Sequence, residues 1–156
     1  MTTKTIPQEV IRSKILFFRG MKVMLDSDLA KLYEVPTFRL NEAVKRNLKR
    51  FPNDFMFRLT TKEYQILISQ SAISSWGGRR KLPYAFTEHG ILMLSSVLNS
   101  ERAVEVNIQI MRTFTKLRQL MIEHADLRKK IEEMEGKYDY QFKVVFKAIK
   151  ELLEPP

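Results

Sequence analysis

Val35-Pro36 forbids a single helix across residues 26–51. The residue before a proline is pushed out of the helical region by the pyrrolidine ring. The spacing therefore predicts two helices joined by a tight turn. The first opens at Asp26-Ser27-Asp28, which offers two N-cap side chains and two carboxylates to the first helical turn. Leu29, Leu32 and Tyr33 give it one apolar face. Thr37 is placed to cap the second helix, whose apolar positions Leu40, Val44, Leu48 and Phe51 form a single stripe at the helical period. Pro52-Asn53-Asp54 stops it.

Short elements flank this pair. Ile15-Leu16-Phe17-Phe18 and Met21-Lys22-Val23-Met24-Leu25 surround Arg19-Gly20 and read as a β-hairpin, with Gly20 free to take a positive φ. Phe55–Leu59 is aromatic-rich and bounded by turn residues, which predicts a strand. Thr60 or Thr61 caps a short helix through about Ile68, and Ser69–Lys81 reads as a polar loop. Leu82–Phe86 is expected to pair with 55–59 as an edge strand, because Pro83 cannot donate to a ladder. Thr87 then caps a helix to about Leu98. The fold class expected is α+β and predominantly helical: a helix-turn-helix with a small antiparallel β element, followed by long C-terminal helices of coiled-coil type.

Charge is distributed unevenly along the chain. The net charge is +9, and residues 1–100 hold 16 Lys or Arg against 8 Asp or Glu, whereas residues 101–156 hold 11 against 10. A basic part joined to a balanced part suggests that the first meets a polyanion and the second meets protein. The second helix sharpens this. Arg39, Glu42, Arg46, Lys49 and Arg50 lie opposite its apolar stripe with Lys45 at the margin, five cations and one anion where a merely solvated face would mix signs. Two helices at a tight turn, the second strongly basic, are the parts of a helix-turn-helix whose second helix enters the DNA major groove. Recognition helices lead with their N-terminal residues, so Thr37 to Asn41 approach the bases. Asn41 suits adenine, Arg39 or Arg46 guanine, and Phe38 a thymine methyl if it is not in the core. Lys45, Lys49 and Arg50 suit phosphates. In Trp76-Gly77-Gly78-Arg79-Arg80-Lys81, two glycines permit close backbone approach and Arg79, Arg80 and Lys81 supply attraction, as a wing beside the helices would.

Other functions find less in the sequence. There is no cysteine, so disulfides and thiolate sites are excluded. His89 and His124 are the only imidazoles, neither has partners at metal-ligand spacing, and no phosphate-binding glycine motif occurs. No enzyme activity, catalytic residue, metal, cofactor or small-molecule substrate is expected, and a nuclease is a distant third reading. Single-stranded nucleic acid or RNA would call for exposed aromatics on a sheet. Met1–Pro7 lacks the apolar run of a signal peptide, and no window approaches the ~20 apolar residues of a membrane span. No membrane contact is expected, and the expected location is the cytoplasm, with the nucleoid.

Phe18–Tyr33, Arg39–Asn47 and Arg50–Phe57, followed by Gly77-Gly78-Arg79-Arg80 and Leu82–Gly90, resemble the phage "ORF-six N-terminal" domain, a relative of KilA-N and BRO-N. The resemblance covers roughly residues 12–98. It implies a DNA-binding module of phage regulators and antirepressors. Glu34 stands where that family mostly has glycine, and His89 where glutamine is usual.

From Glu101 the chain has no proline until Pro155 and one glycine, Gly136. Leu120, Leu127 and Met134 recur every seven residues, as do His124, Ile131, Tyr138, Val145 and Leu152, which interleaves into a coiled-coil seam. The chain divides into a DNA-binding domain, 1–100, and a helical tail, 101–156. A homodimer through residues 101–153 buries the seam and pairs half-sites; a fold-back at Gly136 is the rival arrangement. The function expected is sequence-specific double-stranded DNA binding by a transcriptional regulator or antirepressor. The alternative is a protein-interaction module working through the tail.

Overall fold

The computed structural model describes residues 6–71, 81–124, 126 and 129. In chain order it contains α1 (Gln8–Ser13), β1 (Leu16–Phe18), β2 (Met21–Leu25), α2 (Asp26–Tyr33), α3 (Thr37–Arg46), a 3-10 turn (Leu48–Arg50), β3 (Met56–Arg58), α4 (Thr61–Ser71), β4 (Tyr84–Thr87), α5 (Glu88–Leu98) and α6 (Glu101–Glu123). It is mostly helical around one small antiparallel sheet. The seam residues from Leu127 onward, and Gly136, lie outside the described residues, as do residues 72–80.

The strands are ordered β1-β2-β4-β3. Arg19 and Gly20 both take positive φ, 54° and 74°, and close β1 onto β2 as the two-residue turn that the strand twist favours. β4 pairs with β2 on one side and β3 on the other. The expected edge strand is thus an interior strand, and Pro83 is compatible with that because it precedes the first ladder residue, Tyr84. The cap of α5 forms as expected, with the Thr87 hydroxyl accepting from the Gly90 amide at 3.3 Å. Gly90 is there for space: a Cβ on it would lie 1.9 Å from the Phe55 carbonyl oxygen.

Arg19 secures the hairpin turn. Its guanidinium grips both Glu63 carboxylate oxygens at 3.0 Å and lies over the Phe57 ring at 4.1 Å. Glu63 in turn accepts from the Thr60 amide while the Thr60 hydroxyl accepts from the Glu63 amide, a capping box that starts α4. That helix continues to Ser71, so the expected loop begins later than residue 69.

Several helix ends differ from expectation. Leu25, not an aspartate, occupies the N-cap position of α2, and Asp26 is a fully buried first-turn residue. Pro36 occupies that of α3, which places Thr37 inside the helix with no side-chain cap. Asn47 interrupts the second helix after Arg46, and the change of direction leaves Leu48 57% exposed while Phe51 stays buried. The stripe from Leu40 to Phe51 is therefore broken at Leu48.

The boundary expected at residue 100 falls between two helices that pack on each other. Ala103, Val106, Ile110, Phe114, Leu117 and Leu120 of α6 belong to the same core as Ile11, Leu29, Tyr33, Leu40 and Leu94. Leu120, expected in an intermolecular seam, is buried within the chain. A polar chain crosses this core: the Tyr33 hydroxyl donates to Asn107 Oδ1, and Asn107 Nδ2 donates to the Ile91 carbonyl at 2.6 Å. It ties α2 to α6 and α5. Burial pushes the Tyr33 phenol far above its ordinary value, against the smaller opposing effect of the Asn107 hydrogen bond.

Tyr33→Phe strands a buried acceptor on Asn107. It should cost about 1–3 kcal/mol of unfolding free energy, read from urea denaturation. Glu63 gives a pH signature. Burial opposes its ionisation, but the hydrogen bonds and charge of Arg19, with Thr60, outweigh this and lower its pKa. Its contribution is complete above the ordinary value of 4.5 and is lost as pH falls through the lowered folded value. Urea midpoints of Glu63→Gln should lie below those of the wild type at neutral pH and converge with them in acid.

Candidate nucleic-acid interface

Helices α2 and α3 meet at a turn, Glu34–Pro36. Ala30 is buried between them, as its small size predicts, and Leu40 is fully buried beneath. Glu34 adopts the left-handed conformation, φ 60° and ψ 43°, that the resemblance reserves for glycine. The Val35 amide reaches the Ala30 carbonyl at 3.0 Å and the Glu34 amide that of Lys31 at 3.2 Å, a Schellman closure of α2. A left-handed non-glycine residue costs about 1–2 kcal/mol. Arg102 of α6 acts at the same corner, donating to the Leu32 carbonyl at 3.1 Å and standing 3.9 Å from the Glu34 carboxylate.

With Leu40 and Val44 buried, α3 turns Phe38, Arg39, Glu42, Lys45 and Arg46 to the exterior. Lys49 and Arg50 are exposed too, but on the 3-10 turn and not on the helix itself. Arg46 pairs with Glu42 at 3.4 Å, and Arg50 donates to Ser96 of α5 at 3.2 Å. Phe38 is 64% exposed, which settles its position outside the core. Lys81 is exposed ahead of Leu82-Pro83 and β4; Arg79 and Arg80 lie outside the described residues.

Thr37 and Asn41 are half-buried. Asn41 Nδ2 donates to the Asp26 carboxylate at 3.1 Å, and Asn41 Oδ1 is buried without a partner among the described residues. In this arrangement Asn41 braces α3 against α2, with its side-chain amide engaged by Asp26. The same Asp26 carboxylate accepts from the Ser27 amide at 2.7 Å and the Tyr84 amide at 3.3 Å.

Beside α3 runs a groove of about 520 Å³ between that helix and the β3–β4 strands. Lys45 stands on its helical wall, Arg58 and Lys81 on the other, and Phe38, Leu48 and Tyr84 supply apolar surface. Arg58 was not among the residues singled out from sequence. As one cation in a short aromatic strand it carries no signal until the register places it opposite Tyr84.

Leu92, Val104, Ile108 and Met111 line a second concavity of about 630 Å³ between α5 and α6. His89 is exposed, with its ring 5.5 Å from that of Phe55. Among the described residues no group of His, Asp and Glu is arranged to hold a metal ion, and no helix is long and apolar enough to cross a membrane.

No curated protein and no solved structure matches the chain at a significant level. Residues 13–97 match the ORF6N domain. The matched span runs from the end of α1 almost to the end of α5 and takes in α2, α3, the sheet and the groove, while α6 lies beyond it. Since it covers more than half of the chain, the protein belongs to the ORF6N domain family.

Proposed function

We propose that this chain binds double-stranded DNA sequence-specifically, as a phage-type transcriptional regulator or antirepressor, with α2 and α3 acting as a helix-turn-helix. The observation that carries this reading is the two-sidedness of α3: Leu40 and Val44 are buried while Arg39, Lys45 and Arg46 are exposed, with Lys49 and Arg50 continuing the basic surface. Membership of a phage-type domain family supports a regulatory role. Arg39 and Arg46 are the candidates for guanine contacts, Phe38 for a thymine methyl, and Lys45, Lys49 and Arg50 for phosphates. Asn41 reads adenine only if it leaves Asp26. On this reading the chain has no catalytic role or cofactor and works at the nucleoid.

Lys45, Lys49 and Arg50 changed together to Ala should weaken binding to every duplex and lower the slope of log K against log salt by about one per lost phosphate contact. Fluorescence anisotropy across a salt series reads both, and unchanged affinity in a folded triple variant overturns the assignment.

The reading also includes a homodimer through residues 101–153. The inner side of α6 is used by its own core, but Val104 and Ile108 are each 45% exposed on its outer side. The seven-residue series from Leu120 to Leu152 continues beyond the described helix. The occupant that suits both is a second copy of the chain, since paired modules match two half-sites on a two-fold DNA target. Sedimentation at concentrations on the order of tens of micromolar should show a dimer for the wild type and a monomer for Ile108→Glu. A monomeric wild type removes the dimer from the proposal. Truncation at Ser100 is unsuitable as a test, because it deletes core residues of α6.

A further inference from the structure

The groove beside α3 is built from more than the helix. Arg58 closes β3, and its guanidinium carbon lies 4.4 Å from the centroid of the Tyr84 ring, its cross-strand partner. Stacking on an aromatic face holds the guanidinium in one plane and leaves its N–H edge available. The Tyr84 amide is fixed to Asp26, and so is the Asn41 amide of α3. Arg58 is thereby positioned relative to the basic helix through a single buried carboxylate.

The two walls carry like charge. Lys45 and Arg58 both line the groove, and Glu42, the one carboxylate among its described lining residues, is engaged by Arg46. Two facing cationic walls repel each other unless an anion lies between them. Phe38 and Leu48, both more than half exposed, add apolar surface along the same trough. An extended polyanion with an apolar component at each repeat matches both features: phosphates for the cations, and deoxyribose rings and thymine methyls for the apolar residues.

We propose that the groove between α3 and the β3–β4 strands seats one sugar-phosphate strand of the duplex, with Arg58 as a phosphate contact preset on Tyr84. This rests on the DNA-binding reading and adds a contact outside the two helices. The basic helix enters the major groove, and the strand bordering that groove runs between helix and sheet. A phosphate contact set in advance by stacking fixes the depth and tilt of α3 without itself reading sequence.

The test compares wild type, Arg58→Ala, Arg58→Lys and Lys116→Ala, the last an exposed α6 cation that removes the same charge but does not line the groove. Anisotropy is recorded on the preferred duplex, selected from a random library, and on a scrambled one, over a salt series. Arg58→Ala should weaken both duplexes by the same factor and make the log K against log salt slope shallower by about 0.9. Arg58→Lys should recover the slope, and Lys116→Ala should leave slope and affinity near those of the wild type. A melting temperature for each variant separates binding from folding; if Arg58→Ala does not fold, Arg58→Gln replaces it.

An Arg58→Ala slope equal to that of the wild type, alongside a weakened Lys45/Lys49/Arg50 variant, overturns the groove assignment and leaves the DNA-binding reading standing. A loss confined to the preferred duplex makes Arg58 a base reader and also overturns it. Arg58-dependent binding of poly-glutamate more tightly than either duplex assigns the groove to an acidic peptide instead. A wild type that binds no duplex overturns both proposals.

Discussion

The carboxylate of Asp26 is sealed from water at the point where β2 becomes α2. A buried carboxylate is costly unless its oxygens find donors. Here they receive N–H groups from Ser27 in the same turn, Asn41 on α3 and Tyr84 on β4, among others. Those donors belong to the two helices of the basic corner and to an interior strand of the sheet. Satisfying one acid therefore sets the angle of α3 to α2 and the distance of both from the β4 backbone. Hydrophobic packing alone would leave that angle softer, because Leu40 and Val44 can slide along an apolar floor in a way that a directional hydrogen bond cannot.

A second polar connection works from below. Tyr33, Asn107 and Ile91 link three helices through the middle of the core, and Arg102 reaches from α6 to the last turn of α2. Helix α6 is the floor on which the α2–α3 corner stands, although it lies beyond the span that matches the family. Its apolar residues sit on two sides, one filled by the chain's own core and one still facing solvent.

Much of the fold is legible in the sequence where a local rule is decisive. Pro36 divides the two helices, Arg19-Gly20 turns the hairpin, Thr60 with Glu63 starts α4, and Thr87 starts α5. These depend on chemistry within a few residues. What escaped depends on partners distant in sequence. Nothing near Asn41 says that Asp26 will claim its amide, so a polar residue at a helix start reads as a surface contact. Leu48 fits the helical stripe by spacing, and only the break at Asn47 turns it outward. Pro83 argues for an edge strand by its missing donor, but it stands just outside the ladder. Spacing alone does not say that the inner side of α6 packs on the chain's own core, because a helix covered on one side by its own chain and a helix covered by a partner share one apolar period. The basic surface itself was legible because charge on one face of a short helix is a local pattern. Its second wall, at Arg58, was not, because it exists only through strand register.

The strand order β1-β2-β4-β3 also governs when the molecule comes into being. β2 and β3 are not paired with each other, and each is hydrogen-bonded to β4, whose first residue is Tyr84. During synthesis the hairpin of β1 and β2 can form early, but β3 then has no neighbour to join, and α2 and α3 have neither Tyr84 nor Asn107 to orient them. Such non-local closure is slow and leaves apolar surface exposed while it is incomplete. The positive charge of α3 is present in every nascent chain that has passed residue 50, whereas its aim is acquired only once α6 has been made. Chains that stop before α6 thus carry the charge of α3 without the contacts that orient it.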